Sequence, residues 1–331
     1  MRLILLSFFL ILCSCSSEKV NRVLVTNTGE TQGTFYHIKY LIKDGVNLQN
    51  EIEDIFSSVD SSLSTYVPYS VISKINYRQD NTVDSLFKIV FDCAQLVHNQ
   101  TEGAFDCSVA PLVNAWGFGF EKKQDLDSAK INKILKNIGF DKISIKKDAL
   151  NIPQNMMIDF NALAQGFTVD LIAKFLDENN VSDYLIEIGG ELISKGRNAS
   201  DEIWRVGVDK PVDKMDLNDR FQFIMKLDNK AIATSGNYRK YFEEDGKKYS
   251  HTISPFNGYP VRNNFLSVSV IHDDCMLADA YATAFMVMGK TKTLNFLESF
   301  PDVEAYIVYS DKNGKFKTYI SKEMESRIVN Y

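Results

Sequence analysis

Hydrophobic positions recur along the chain with two different periods, and each period predicts a different element. Residues 33–42 alternate between apolar and polar side chains, which predicts a strand. Apolar residues three and four apart predict amphipathic helices at residues 46–63 and, most clearly, at residues 83–98. The same spacing predicts helices further along the chain, at 128–139 with Gly139 as the C-terminal cap, at 161–180, and at 275–289 with Gly289 as the stop.

Several short apolar runs predict strands in the second half of the chain. Residues 183–196 hold two runs interrupted by Gly189-Gly190, which indicates a bulge or a close backbone neighbour. Strands also fit residues 204–211 and 221–227, and residues 304–321 predict a C-terminal hairpin that turns at Asn313-Gly314. Helices and strands alternate irregularly, so we predict an α+β fold of mixed sheets packed with helices, with no linker dividing it.

The N-terminal stretch MRLILLSFFLILCSCSS has one positive charge followed by an apolar run from Leu3 to Leu12. That run is too short to span a bilayer and predicts a secretion signal. Leu12-Cys13-Ser14-Cys15 resembles a bacterial lipobox, although an ordinary signal peptide that contains cysteines is an alternative. We therefore expect a signal peptide at residues 1–14, a lipidated Cys15, a tether at 15–22 and the folded domain at 23–331. The expected location is the cell envelope, with the periplasmic side of the inner membrane favoured.

Composition excludes some classes of function. Hydrophobic residues make up 45% of the 331 residues, which is enough for a large core. The net charge is −6 and no basic run occurs, so we expect no binding to nucleic acid. Cys93, Cys107 and Cys275 are widely spaced, so neither a disulfide framework nor a zinc site is predicted.

Two loops could approach a ligand. In residues 101–120, Gly117 and Gly119 flank aromatic side chains and could let the backbone approach a flat ligand, although composition alone favours a surface loop with buried aromatics. In residues 158–170, Asp159 precedes a helix for which Asn161 is a candidate N-cap, and free N–H groups there would suit a phosphate. Gly166 indicates a close contact, with a merely crowded position as an equal alternative.

Asp279 and Thr283 are four residues apart on a predicted helix, so their side chains share one face. Their neighbours are small alanines, and a carboxylate with a hydroxyl on such a face suits an oxygen-seeking cation such as Mg²⁺. Alone, the pair fits better with Thr283 bonding back to the carbonyl of Asp279 while Asp279 faces water. The metal hypothesis needs ligands from elsewhere in the chain.

These stretches together resemble the FAD:protein FMN transferase family, the ApbE-like proteins. The resemblance runs in order from GTFYHI through SSLSTYVPYSVISKIN, GAFDCSVAPLVNAWGFG, IDFNALAQGFTVD, YLIEIGGELISKG, IATSGNYRKYF and SHTISPFNGYP to LADAYATAFMVMG. It implies an ApbE/T-fold-like domain with a flavin site in a central cleft. It also implies an enzyme that moves FMN from FAD to a Ser or Thr of an acceptor protein, typically a subunit of a membrane redox complex, and releases AMP.

The resemblance also implies which residues form the site. The flavin contacts it implies are Gln32, Tyr66, Ala104, Phe105, Asp106, Asp159, Gln165 and the backbone near Ile253. The Mg²⁺ ligands it implies are Asp279, Thr283 and the carbonyl of Ala162, with Asp279 also catalytic. The Ala162 carbonyl thus supplies the further metal ligand that the pair Asp279 and Thr283 lacks.

His251 is the candidate base. Cleaving the pyrophosphate of FAD requires neutralised phosphate charge and a nucleophile in line, and a hydroxyl is a poor nucleophile until a base takes its proton. The unperturbed pKa of histidine lies near neutrality, and the loop SHTISPFNGYP would hold the imidazole in place. The alternative is a histidine that hydrogen-bonds to a neighbouring loop carbonyl.

Four positions depart from the usual family pattern. Gln32 stands where a Met is common, Gln165 where a charged residue is frequent, and Cys107-Ser108 where Pro-Thr is common. Ser254 stands where the family usually has Asp, and it brings no charge to the loop that holds His251.

Three hypotheses other than a transferase stay open for the function. They are an Mg²⁺-dependent FAD pyrophosphatase, a non-catalytic FAD-binding lipoprotein, and a solute-binding lipoprotein, which would have two lobes and a hinge.

Overall fold

The computed structural model describes residues 22–119, 122–210, 220–236, 241–244, 247–250 and 252–330. The helices are α1 (Gln49–Leu63), α2 (Val71–Asn76), α3 (Ser85–Gln100), α4 (Ala110–Ala115), α5 (Ser128–Leu135), α6 (Ala164–Glu178), α7 (Cys275–Ser299) and α8 (Lys322–Glu325). The strands are β1 (Arg22–Thr31), β2 (Thr34–Lys43), β3 (Ser144–Lys146), β4 (Ala149–Asn151), β5 (Tyr184–Ile188), β6 (Glu191–Lys195), β7 (Arg205–Asp209), β8 (Phe221–Lys226), β9 (Ala231–Gly236), β10 (Tyr241–Glu244), β11 (Lys247–Ser250), β12 (Phe265–His272), β13 (Glu304–Ser310), β14 (Phe316–Ile320) and β15 (Ile328–Asn330).

A large antiparallel sheet forms the centre of the molecule. Its strand order is β1-β2-β5-β6-β9-β12-β13-β14, and a smaller sheet has the order β15-β8-β7. Gly189 and Gly190, with φ of 66° and 119°, form the two-residue turn between β5 and β6. This turn corrects the expectation of a bulge, because the positive φ values that glycine tolerates are used here to reverse the chain.

The two faces of the large sheet are covered by different layers. On one face, Ile38 of β2 and Ile186 of β5 pack with Ile172 of α6 in one apolar cluster. On the other face, Phe223 of the small sheet packs with Tyr306 of β13, their rings 4.7 Å apart at the centroids. The large sheet is therefore the middle layer of three, and the predicted α+β architecture is confirmed.

Most predicted elements are present, and their ends differ for local reasons. Asn161 is not the N-cap of α6, because its backbone and side-chain amides both bond to Asp159, and Leu163 occupies the cap position. The helix predicted to end at Gly139 ends at Leu135. Helical geometry breaks at Gly289, where φ is 70°, as predicted, but a further helical segment continues beyond it.

The N-terminal predictions lie outside the described residues, apart from the boundary of the fold. Strand β1 begins at Arg22, the last residue assigned to the tether, so the fold includes that residue. Cys93, Cys107 and Cys275 are buried as free thiols. Among the described residues, no helix has both the length and the apolar character needed to cross a membrane.

Candidate functional site

A main cavity of about 850 Å³ opens between the two sheets and the N-terminal halves of α6 and α7. Ten of the residues assigned from the sequence line it: Tyr66, Ala104, Phe105, Asp106, Asp159, Ala162, Gln165, Ile253, Asp279 and Thr283. They come from separate loops and helices, and the fold brings them to one place. The size falls within the range of small-molecule and cofactor sites.

Gln32 is assigned to the flavin pocket from the sequence, but it does not line the main cavity. Its side-chain amide donates to the hydroxyl of Thr168 on α6, with 2.8 Å between Nε2 and Oγ1. Its backbone has a φ of 50° in the turn between β1 and β2. In this structure Gln32 therefore ties that turn to α6.

Asp106 stabilises the loop that forms one wall of the cavity. Its Oδ1 accepts from the Ser108 backbone N–H at 2.8 Å and from the Ser108 hydroxyl at 2.5 Å, and its Oδ2 accepts from the Phe140 N–H at 3.1 Å. His98 Nδ1 lies 2.8 Å from the Phe105 carbonyl oxygen and 3.8 Å from Asp106 Oδ2. The carboxylate is thus committed to the loop, and it positions Ala104 and Phe105 at the cavity.

Asp159 links this wall to the segment before α6. Its N–H donates to the Cys107 carbonyl at 2.8 Å, and its carboxylate accepts from the backbone and side chain of Asn161. Burial raises the pKa of Asp159, while the two bonds from Asn161 oppose that rise. Tyr66, which is 65% exposed, lies at the cavity rim, and burial of its hydroxyl together with the charge of Asp159 raises its pKa.

Asp279 is a buried carboxylate of the site with little compensation from hydrogen bonds. It is 9% exposed, and its Oδ2 accepts one long bond, 3.3 Å, from the Gly166 N–H. Burial raises its pKa well above the ordinary value, Glu191 and Asp170 raise it further, and the Gly166 bond lowers it. The alternative in which Asp279 faces water is wrong, because the side chain lies inside the cavity.

Gly166 allows α6 to approach the start of α7. A Cβ on Gly166 would lie 2.5 Å from the carbonyl oxygen of Cys275, so the structure shows the crowded position that the sequence left as an equal alternative. Asp170, one turn further along α6, accepts from the N–H groups of Cys275 and Met276 at 2.9 and 2.8 Å. These contacts fix the position of Asp279, which lies in the second turn of α7.

Several polar residues of the cavity were missed by sequence reasoning. Glu191 is 7% exposed and begins β6, directly after the turn glycines, and a carboxylate at that position carries no local signal. His37 and Lys39 face the cavity from β2, and their two-residue spacing could have indicated it. Arg220 Nε lies 2.7 Å from Asp209 Oδ1, and both residues line the side formed by the small sheet.

The histidine loop comprises residues 250–260, and the structure describes all of its residues from Thr252 onward. His251 lies outside the described residues, so its role stays a prediction. Thr252, Ile253 and Pro255 line the main cavity, whereas Ser254, 8% exposed, lines a second cavity of about 430 Å³. Ser254 is therefore not at the centre of the main cavity.

The ApbE family model matches residues 32–307 of this chain. The chain belongs to the ApbE family. An FAD:protein FMN transferase from Vibrio cholerae is 35% identical over 97% of this ApbE chain and 99% of its own length. The solved structure of the flavin transferase ApbE from Vibrio cholerae has a TM-score of 0.82, 33% identity, and coverage of 93% of this chain and 100% of that one. The apo flavinyl transferase ApbE from Pseudomonas stutzeri has a TM-score of 0.83 and 31% identity, with coverage of 92% and 97%.

The family model matches most of the ApbE chain and the two solved structures cover 93% and 92% of it, so the family resemblance and the fold expected from the sequence are confirmed. The roles of individual residues are a separate matter and stay predictions. What the geometry adds is that those residues, Gln32 and His251 aside, line one cavity.

Proposed function

We propose that this protein is an FAD:protein FMN transferase, which moves the FMN part of FAD to a Ser or Thr hydroxyl of an acceptor protein. The observation that carries the proposal is the main cavity, where the candidate flavin contacts at residues 104–106 and the candidate metal ligands Asp279 and Thr283 line one space. The two relatives with solved structures are named flavin or flavinyl transferases, which supports the same reaction.

In the proposed reaction the acceptor hydroxyl oxygen bonds to the phosphorus of the FMN half. The bond from that phosphorus to the bridging oxygen breaks, and AMP leaves with the bridging oxygen. The hydroxyl proton passes to a base, for which His251 is the candidate from the sequence. When FAD is bound, Ala104, Phe105 and Tyr66 would contact its flavin end, and residues of α7 would face its phosphates.

The residues around Asp279 fit a divalent cation. A carboxylate, the Thr283 hydroxyl and the Ala162 carbonyl are the oxygen ligands that Mg²⁺ prefers, and all three residues line the main cavity. The raised pKa of Asp279, with Glu191 and Asp170 adding negative charge, indicates a place where a cation would offset burial. When bound, Mg²⁺ would neutralise developing charge on the phosphates.

The test is to incubate the chain from residue 16 onward with FAD and Mg²⁺, with and without acceptor protein. AMP release and flavin fluorescence on denatured acceptor are then measured. Flavin bound covalently to the acceptor, and lost in Thr283→Val, is the expected result. AMP and free FMN released regardless of acceptor would replace the transferase with a pyrophosphatase. Intact bound FAD would leave a binding protein.

We also propose that the enzyme acts at a membrane through a lipid on Cys15, on a redox-complex subunit. The support is the lipobox-like sequence around Cys15, which lies outside the described residues. Radiolabelled palmitate should enter the wild-type chain in bacterial cells and not Cys15→Ala. Equal labelling of the two chains would refute the anchor.

A further inference from the structure

The second cavity lies beside the main cavity and has no assigned role. Its lining comes from the loop between Ser254 and Asn263 and from Val287, Met288 and Gly289 of α7. Val287 lines both cavities, and the consecutive residues Ser254 and Pro255 line one each. The two cavities therefore share a wall made by α7 and the histidine loop.

The shared wall is close to the candidate metal site. Val287 follows Thr283 by four residues on α7, which is one helical turn or about 6 Å along the axis. Val287 is half-buried, so solvent reaches this wall. An extended peptide advances about 3.3 Å per residue, so two residues span the distance from the metal end of the main cavity to the second cavity.

The second cavity has fixed walls. Asn257 Oδ1 accepts from the Tyr259 N–H at 3.0 Å, and Asn263 Oδ1 accepts from the Phe265 N–H at 3.1 Å. The Asn263 side-chain amide also donates to the Met286 carbonyl, next to the break in α7 at Gly289. The first two bonds fix the loop locally and the third holds it to the helix, so the cavity is preformed, which lowers the cost of binding.

The chemistry of the lining suits a peptide. Pro260, Val261 and Met288 offer apolar surface, while Tyr259 and the exposed Arg262 offer polar groups at the same cavity. In the proposed reaction FAD occupies the main cavity, so the chain that flanks the acceptor hydroxyl must lie outside it. The second cavity is the adjoining space within the described residues.

We infer that the second cavity binds the acceptor segment that flanks the modified Ser or Thr, and so determines acceptor recognition. This inference rests on the proposed function. It predicts that changes in the second cavity weaken binding of the acceptor without weakening binding of FAD.

The test uses two variants and two matched controls. Val261→Trp fills the second cavity and Arg262→Glu reverses the charge at its rim, while Val46→Trp and Lys312→Glu make the same kinds of change at exposed positions elsewhere. The acceptor is the best-labelled member of a library of peptides, each about 12 residues long with a central Thr. Labelling is measured by mass spectrometry, AMP release by chromatography, and FAD affinity by flavin fluorescence.

We expect the KM for the peptide to rise by about tenfold or more in both cavity variants, with the FAD dissociation constant within about twofold of wild type. Unchanged peptide KM in folded Val261→Trp and Arg262→Glu would overturn the inference and leave the transferase intact. If Val261→Trp fails to fold, the peptide KM of Arg262→Glu, a change at an exposed residue, tests the inference alone. AMP release by the wild type with no labelled peptide, or absence of both AMP and labelling, would instead reject the proposed transferase, and the inference would fall with it.

Discussion

Asp170 and Asp279 are carboxylates on adjacent helices, the first half-buried and the second buried, and their surroundings differ. Asp170 accepts two backbone N–H bonds of 2.9 and 2.8 Å from the start of α7. Asp279 accepts one bond of 3.3 Å and lies close enough to Glu191 for that charge to raise its pKa. The first carboxylate joins two helices, whereas the second faces a cavity with its ionised form poorly compensated.

The difference shows that burial alone does not identify a functional carboxylate. A carboxylate kept from water is stabilised when hydrogen bonds replace its lost hydration. Asp170 meets that condition in part, with two bonds at a helix N-terminus, although burial still raises its pKa to about 8. Asp279 meets it poorly, and strongly perturbed carboxylates of this kind are enriched at functional sites. The number and length of its hydrogen bonds distinguish the carboxylate that joins two helices, Asp170, from the one that faces the cavity, Asp279.

The largest expected effect is on activity in Asp279→Asn. This change keeps the shape of the side chain and removes the charge of the proposed Mg²⁺ ligand, so we expect FMN transfer to fall by at least about 100-fold. Stability without metal should stay near that of the parent, because a neutral amide replaces a carboxyl whose ionisation burial disfavours. Transfer assays and urea unfolding in EDTA measure the two quantities.

A matched control for this variant is Asp273→Asn. Asp273 is exposed and pairs with Lys230 at 2.6 Å, outside the main cavity, so its loss should leave transfer near the wild-type rate. Equal activities of the two variants would contradict the assignment of Asp279 to the metal site.

The next effect is on stability in Asp170→Ala. Removing both acceptors leaves the N–H groups of Cys275 and Met276 without partners, and each buried orphan costs about 1–3 kcal/mol. We expect the free energy of unfolding in urea to fall by at least about 2 kcal/mol. A loss no larger than that in Asp273→Asn would show that Asp170 does not hold the two helices together.

Local patterns predicted much of the fold, and long-range contacts explain what they missed. The periodicity of α3 is a property of neighbouring residues and is visible in the sequence. Strand β1 was not predicted because it is an edge strand, and of its side chains only Asn27 is buried, so it lacks an apolar alternation.

The site was predictable only through the family resemblance. Thr283 and Ala162 are far apart in the sequence, and no local rule places them at one cavity. Glu191 shifts the pKa of Asp279 from across the site, which the sequence does not reveal. Gln32 was assigned to the flavin pocket by motif position, but its side chain bonds to Thr168 instead.

A smaller effect is expected for Gly166→Ala. The new Cβ would lie 2.5 Å from the Cys275 carbonyl oxygen, so α6 and α7 must separate and the N–H bond to Asp279 must lengthen. Overpacking of this kind costs about 1–3 kcal/mol. Urea unfolding should show the loss, and Mg²⁺ titration should show weaker binding. Unchanged values for both would indicate that the helices move apart freely and that Gly166 does not position Asp279.

The last expected effect is on how the free energy of unfolding changes with pH. Burial and Asp274 raise the pKa of Asp170 to about 8 from the ordinary 3.8, so the folded chain keeps a proton that the unfolded chain has lost. Stability from this group is full below about pH 4 and falls as pH rises toward about 8, by at most about 1.4 kcal/mol per pH unit. Asp170→Asn removes this titration, so its unfolding free energy, measured in EDTA from about pH 5 to about pH 9, should depend less on pH than that of wild type. Parallel curves would mean that the two N–H bonds outweigh burial and keep Asp170 ionised throughout, which would widen its contrast with Asp279.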